Sequence, residues 1–236
     1  MRTYAITETP RLNLFMALTQ IREEQDPTLN FDFCCRAGIC GSCGMVINGR
    51  PGLACRVQTS SLPAQIALHP LPVFKLLGDL SVDTGVWFRT VGQRIESWIH
   101  TDRQFDPAAE EERMENRLAN EIFELERCVE CGCCVAACGT ARMREDFMGA
   151  AAINRLARFR IDPRDNRTPE DFYELIGDDT GVFGCMGLLA CEDVCPKEIP
   201  LQDQLGIMRR MLALHSVRGI VPRALIKKLD KGCCHS

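Results

Sequence analysis

The chain has 236 residues, 46% of them hydrophobic, and its 28 Lys and Arg against 32 Asp and Glu leave a net charge of -4. That composition supports a packed core in one large or two small domains, and no block of like charge marks an arm for nucleic acid, which is therefore not expected as a partner. No stretch approaches the roughly 18 consecutive apolar residues of a membrane span, and the N-terminal segment lacks the pattern of a secretory signal, so any membrane attachment is expected to come through another subunit.

In chain order, the first hundred residues read as strand-like. Met45-Val46-Ile47 leads into Asn48-Gly49, a pair suited to the two positive-φ positions of a tight hairpin turn. Helical periodicity takes over from about residue 106, where Asp106 can cap, Pro107 can occupy the first helical position, and Met114, Leu118, Ile122 and Leu125 share a face. Glu110, Glu111 and Glu112 then fall in the early turns, where the helix dipole tolerates negative charge. A second helix is announced by Thr168-Pro169-Glu170-Asp171, and a third begins near Leu201 with Leu205, Met208 and Leu212 inward. The change of period near residues 100–107 predicts an α+β protein of two domains, 1–103 and 104–236, the second all-α.

The 15 cysteines are clustered. A disulfide framework belongs mainly to short secreted chains that cannot build a core, so clustered cysteine here points to metal. Cys35-x4-Cys40-x2-Cys43-x11-Cys55 is the plant-type ferredoxin spacing for a 2Fe-2S cluster, and the Asn-Gly hairpin returns the chain so that Cys55 arrives as fourth ligand. Glycines in the RAGICGSCG loop allow the backbone to bend and aim N–H groups at sulfur. Cys34 lies off this register and reads as a bystander. A structural Zn(Cys)4 site is the competing interpretation, but such sites usually pair two short knuckles and only one is present.

Cys128-x2-Cys131-x2-Cys134-x3-Cys138 is the bacterial ferredoxin run, whose fourth cysteine serves a different cluster from the first three. Cys133 falls between ligand positions and is expected to be a small buried residue. Downstream, Cys185-x5-Cys191-x3-Cys195-Pro196 is the complementary half of the motif with Leu188 where a further cysteine would stand. Cys128, Cys131, Cys134 and Cys195 make a full set for 4Fe-4S. Cys138, Cys185 and Cys191 make three, and an apolar Leu188 at the vacant corner predicts 3Fe-4S. Cys233 and Cys234 fit no register and read as tail thiols. No GxGxxG or P-loop pattern is present, so the chain is not expected to bind flavin or nucleotide itself. His69, His100, His215 and His235 are too scattered to form a haem or zinc site.

The phrases NFDFCCRAGICGSCGMVINGRPGLACR, HPLPVFKLLGDLSVDTG, CVECGCCVAACGT and CMGLLACEDVCPK resemble signatures of the iron-sulfur subunit of the succinate dehydrogenase and fumarate reductase family, over roughly residues 10–215. The resemblance implies a plant-type (β-grasp) ferredoxin domain followed by a helical bacterial-ferredoxin-type domain. It also implies a peripheral subunit on the cytoplasmic face of the membrane, between an FAD-containing flavoprotein that interconverts succinate and fumarate and a membrane anchor that handles quinone. No residue of this chain would then act on substrate.

Two departures qualify it. Family members usually carry an extra strand about twenty residues upstream. Ubiquinone-reactive members carry Trp and His where this sequence has Met143 and Met186, so it looks more like the menaquinone-linked, dihaem-anchored fumarate reductases. A thiol-dependent fumarate reductase arm is the alternative within the same chemistry, and a zinc-bearing scaffold the alternative outside it.

Overall fold

A computed structural model describes residues 2–104, 106–108 and 113–217. These pack as two compact units, each interleaved along the chain. Among the described residues, the first combines 2–89, 128–145 and 188–198, and the second combines those of 90–127, 146–187 and 199–217.

In the first unit, helix α1 (Leu14–Glu24) packs on a small sheet. A helix here was not expected from the strand-like reading of this half. Its signals are local: Asn13 accepts the Met16 amide at 2.9 Å as N-cap, and Leu14, Phe15, Ala17 and Leu18 fall on one buried face. Strands β1 (Gly44–Ile47) and β2 (Arg50–Leu53) form the expected hairpin, with Asn48 and Gly49 at φ 48 and 83. Asn48 is needed for a second reason. Its side-chain oxygen takes the Ala67 amide at 2.8 Å, which steers β3 (Leu68–His69) onto the free edge of β1. A separate antiparallel pair, β4 (Lys75–Gly78) and β5 (Ser81–Asp83), precedes α2 (Thr84–Arg94).

Short helices α4 (Cys133–Ala137), α5 (Gly139–Met143) and α8 (Ala190–Asp193) complete this unit, with α8 and β2 both against α4. Cys133 is fully buried, the small buried residue expected there, and belongs to the same apolar cluster as Leu14, Phe15, Met45, Leu53 and Cys55.

The second unit is helical. α6 (Gly149–Ile161) is its axis, with α3 (Asn116–Glu126) and α9 (Leu201–Ser216) packed on it and α7 (Pro169–Ile176) against α9. Alanines 150, 151, 152 and 157 keep α6 thin, and buried Asn154 donates to the Leu125 carbonyl at 2.9 Å. The Thr168–Asp171 capping box forms as expected, and Leu201, Leu205, Met208 and Leu212 are buried along α9. α3 opens at Asn116, and residues 109–112 of the helix expected from Asp106 lie outside the described residues. Asp106 accepts the Ala108 amide on its own side chain at 2.9 Å, as a cap at that position would. Glu110, Glu111 and Glu112 lie outside the described residues, as do Cys233, Cys234 and His235.

A buried ion pair pins the loop before α7. The side chains of Arg167 and Asp165, each 2% exposed, meet through Nη2–Oδ2 at 2.7 Å and Nε–Oδ1 at 3.0 Å. Arg167 also donates to the Trp98 carbonyl at 3.1 Å and lies over the Phe159 ring. Burial pushes the Asp165 carboxyl up, but hydrogen bonds from Arg167 and from the Arg167 and His100 amides outweigh it and hold the group below its usual range. Asp165 therefore stabilises the fold fully above its ordinary pKa of about 4, and that contribution is lost as pH falls through the lower folded value. Replacing Arg167 with Met strands a buried carboxylate and should cost about 3 kcal/mol at neutral pH. The penalty should shrink on acidification as Asp165 takes a proton, which thermal melts of the variant across pH 4–7 will check.

Candidate iron-sulfur centres

The loop from Cys35 to Cys43 is built around amide-to-sulfur hydrogen bonds. Ala37, Ile39 and Cys40 all donate backbone N–H to Cys35 Sγ, at 3.4, 3.2 and 3.3 Å, and Cys35 N–H donates to Cys40 Sγ at 3.4 Å. The cause is the reversal of the chain by Arg36, Gly38 and Gly41 at φ 57, 72 and 76, which turns successive amides to one side. These donors pull the free Cys35 thiol down to about 6. Cys43, buried behind β1, goes the other way, up to about 12, first through burial and then through its neighbours Cys55 and Cys40. The four cysteines of the first register therefore share one locality, while Cys34 is exposed.

The second register closes in the same unit. Burial raises the free Cys134 thiol strongly, and the charges that add to it are those of Cys131, Cys128, Cys195 and Cys191. Cys128, Cys131 and Cys134 thus meet Cys195 across some sixty residues of chain. Cys131 falls to about 7, first because the Cys133 thiol donates to it, with Lys197 contributing a positive charge. Cys133 is therefore both core packing and a donor to a neighbouring thiolate.

Of the third register, Cys138 caps α5 and buried Cys191 lies in α8, both in the first unit. Leu188 is 64% exposed, and its Cδ1 stands 3.1 Å from where a Cβ on Gly139 would be, so it rests beside the residue that follows Cys138. Cys185 belongs to the second unit, where Gly187 N–H donates to its sulfur at 3.3 Å. Arg209 of α9 fixes that segment, donating to the Cys185 carbonyl at 2.7 Å and to the Val182 carbonyl at 2.6 and 3.0 Å. Nothing in the sequence flags Arg209, because the register motif ends before α9 and the contact depends on how that helix lies.

Glycines decide how close the first two registers come. A Cβ on Gly41 would meet the Val129 carbonyl oxygen at 2.5 Å and the Cys131 Cα at 3.0 Å, and one on Gly44 the Cys131 carbonyl oxygen at 2.9 Å. Gly132, at φ 78, leaves the space that the Phe74 ring fills. Backbone therefore lies on backbone between the Cys40–Cys43 and Cys128–Cys131 segments. Among the described residues no three His, Cys, Asp or Glu side chains converge closely enough to share a single metal ion. A 2Fe-2S cage takes its four thiolates two to an iron and a cuboidal cage takes one to an iron, so neither needs three ligands to meet at one metal. The histidines serve elsewhere: His100 pairs with Glu96 and His215 with Glu170, each at 3.1 Å.

Comparison with known proteins agrees with this division of labour. A family model for the 2Fe-2S iron-sulfur cluster binding domain matches residues 1–89, and one for the 4Fe-4S dicluster domain matches residues 124–199. The chain is 62% identical over 210 residues to the fumarate reductase iron-sulfur subunit of Wolinella succinogenes, covering 89% of this chain and 88% of that one. It is 29% identical to the succinate dehydrogenase iron-sulfur subunit of Bacillus subtilis, over 91% and 87% of the two chains. A chain of the Mycobacterium smegmatis Sdh1 complex in its apo form superposes with a TM-score of 0.79 at 27% identity, covering 89% of this chain and 87% of that one.

The glycine contacts make a direct prediction. Gly41→Ala imposes both a left-handed backbone cost of about 1–2 kcal/mol and a clash with a carbonyl that cannot rotate away. Iron bound per chain should fall in this variant. Gly52→Ala, whose Cβ would find only Ile47 Cδ1 at 3.7 Å, should retain its iron.

Proposed function

We infer, from the premise that the chain belongs to the iron-sulfur subunits of the fumarate reductase and succinate dehydrogenase family, that it relays single electrons between an FAD-containing flavoprotein and a quinone-reactive membrane anchor. The cofactors are a 2Fe-2S cluster on Cys35, Cys40, Cys43 and Cys55, a 4Fe-4S cluster on Cys128, Cys131, Cys134 and Cys195, and a 3Fe-4S cluster on Cys138, Cys185 and Cys191. These groups supply one-electron transfer; the chain supplies their ligands and spacing and holds no acid or base for substrate chemistry. The observation that carries the reading is the backbone contact of Gly41 and Gly44 with Val129 and Cys131, which sets the first two ligand loops side by side as a relay requires.

The remaining roles are physical. The amides of Ala37, Ile39 and Cys40 stabilise thiolate at Cys35 before and after iron binds. Leu188 offers no thiolate at the corner beside Cys138, so only three protein ligands remain there. Its exposure, with that of Met143 and Leu189 in the same unit, supports a partner over this end of the relay, and the anchor is the partner of matching chemistry. No helix among the described residues is long and apolar enough to cross a membrane, and in this reading the chain is a peripheral subunit held through the anchor, on its cytoplasmic face. Met143 and Met186, in place of the Trp and His of ubiquinone-reactive members, favour menaquinone and a haem b anchor. The 62% relative, a fumarate reductase subunit, favours fumarate reduction as the physiological direction.

Potentiometric EPR of the purified complex should resolve three centres, one of them a 3Fe-4S signal in the oxidised state. Turnover with menaquinol and fumarate should accompany it, and turnover restricted to ubiquinone would overturn the quinone assignment. Leu188→Cys restores a fourth thiolate and should replace the 3Fe-4S signal with a 4Fe-4S signal of lower potential. An unchanged 3Fe-4S signal would sink the assignment of Leu188 to the vacant corner.

A further inference from the structure

Arg56 follows the ligand Cys55 directly, outside every register, and nothing in the relay described so far uses it. Its side chain turns back over the other half of the same site. A Cβ on Gly38 would stand 2.6 Å from Arg56 Cδ, 2.9 Å from Cγ and 3.3 Å from Nε, so the stem of the arginine crosses the face of Gly38. Gly38 is the centre of the loop whose amides, from Ala37, Ile39 and Cys40, point at Cys35 Sγ. The backbone of Arg56 is thus joined to one ligand, while its charged end lies on the loop that cradles another. Glycine suits position 38 on two counts, a φ of 72 and the place of the arginine stem, which a methyl group there would push aside. No carboxylate pairs with Arg56 among the described residues.

We propose that Arg56 sets the reduction potential of the 2Fe-2S centre, its guanidinium lying over the Gly38 loop as a fixed positive charge that favours the reduced state. The proposal rests on the assignment of Cys35, Cys40, Cys43 and Cys55 to that cluster. Reduction adds one electron, hence one negative charge, to the cage and its thiolates, with no bond made or broken. A nearby positive charge stabilises the reduced form more than the oxidised one, and the midpoint rises. The amide donors act in the same direction through hydrogen bonds, whereas Arg56 acts through net charge. Because the arginine is exposed, water and salt screen it, and its influence is a fraction of what a buried charge would exert.

The test is potentiometric EPR on the intact complex. Arg56→Met keeps an aliphatic stem over Gly38 and removes the charge, Arg56→Lys keeps the charge, and Arg56→Glu inverts it. In the Met variant the ratio of reduced to oxidised 2Fe-2S at the native midpoint should fall about threefold, about 28 mV for a one-electron couple. The Glu variant should fall further and the Lys variant should stay close to native. The other two centres should keep their potentials in all three variants. Equal 2Fe-2S midpoints in native, Met and Glu proteins would overturn the proposal. If Arg56→Met fails to assemble the cluster, Arg56→Gln against Arg56→Lys makes the same comparison, and equal midpoints there overturn it. Absence of any 2Fe-2S signal from the native complex would instead remove the cluster assignment itself, an outcome distinct from an unmoved midpoint.

Discussion

The close approach of two stretches of bare backbone is the constraint on which the rest of the first unit depends. Where Gly41 and Gly44 face Val129 and Cys131, any side chain would hold the two segments apart. The positive-φ residues that reverse the Cys35–Cys43 loop, the hairpin that returns Cys55 and the helix α4 that places Cys134 are each local solutions. Their placement side by side is not local, and it comes from the absence of Cβ atoms at two positions. An electron relay is sensitive to separation in a way that a structural metal site is not, which is why a fold would keep glycine where glycine weakens the unfolded-to-folded balance.

Cysteine is used here in two chemically opposite ways. Some cysteines are held toward thiolate, by backbone amides at Cys35 and by a thiol donor at Cys131, while Cys43 and Cys55 of the first register lie inside the apolar cluster. As a small apolar side chain it goes fully inside, as Cys133 does among Leu14, Phe15 and Met45. Cys133 also ties the two uses together, since its thiol donates to Cys131 while its body fills the core of the N-terminal sheet. A mutation there would therefore disturb packing and ligand electrostatics at once.

The third register is organised differently. Cys138 and Cys191 are carried by short helices of the first unit, and Cys185 by a segment of the second that Arg209 clamps through two carbonyls. Leu188, at the surface beside Gly139, takes the position at which a complete motif would have thiolate. The proposed partner at this end of the relay would cover that exposed aliphatic side chain.

The sequence by itself determined the ligand registers, because loop wrapping around a cage demands fixed short spacings that survive in one dimension. It also determined the Asn48-Gly49 turn, the Thr168 cap and the buried face of α9, all set by interactions within a few residues. It left α1 unrecognised, although Asn13 and Leu14, Phe15 and Leu18 carried its signal. Tertiary structure alone decided that residues 128–145 and 188–198 pack with residues 2–89, that Arg56 lies over Gly38, and that Arg209 holds Cys185. Those contacts join residues far apart in the chain through shape and excluded volume, and neither quantity is written in the spacing of residue types.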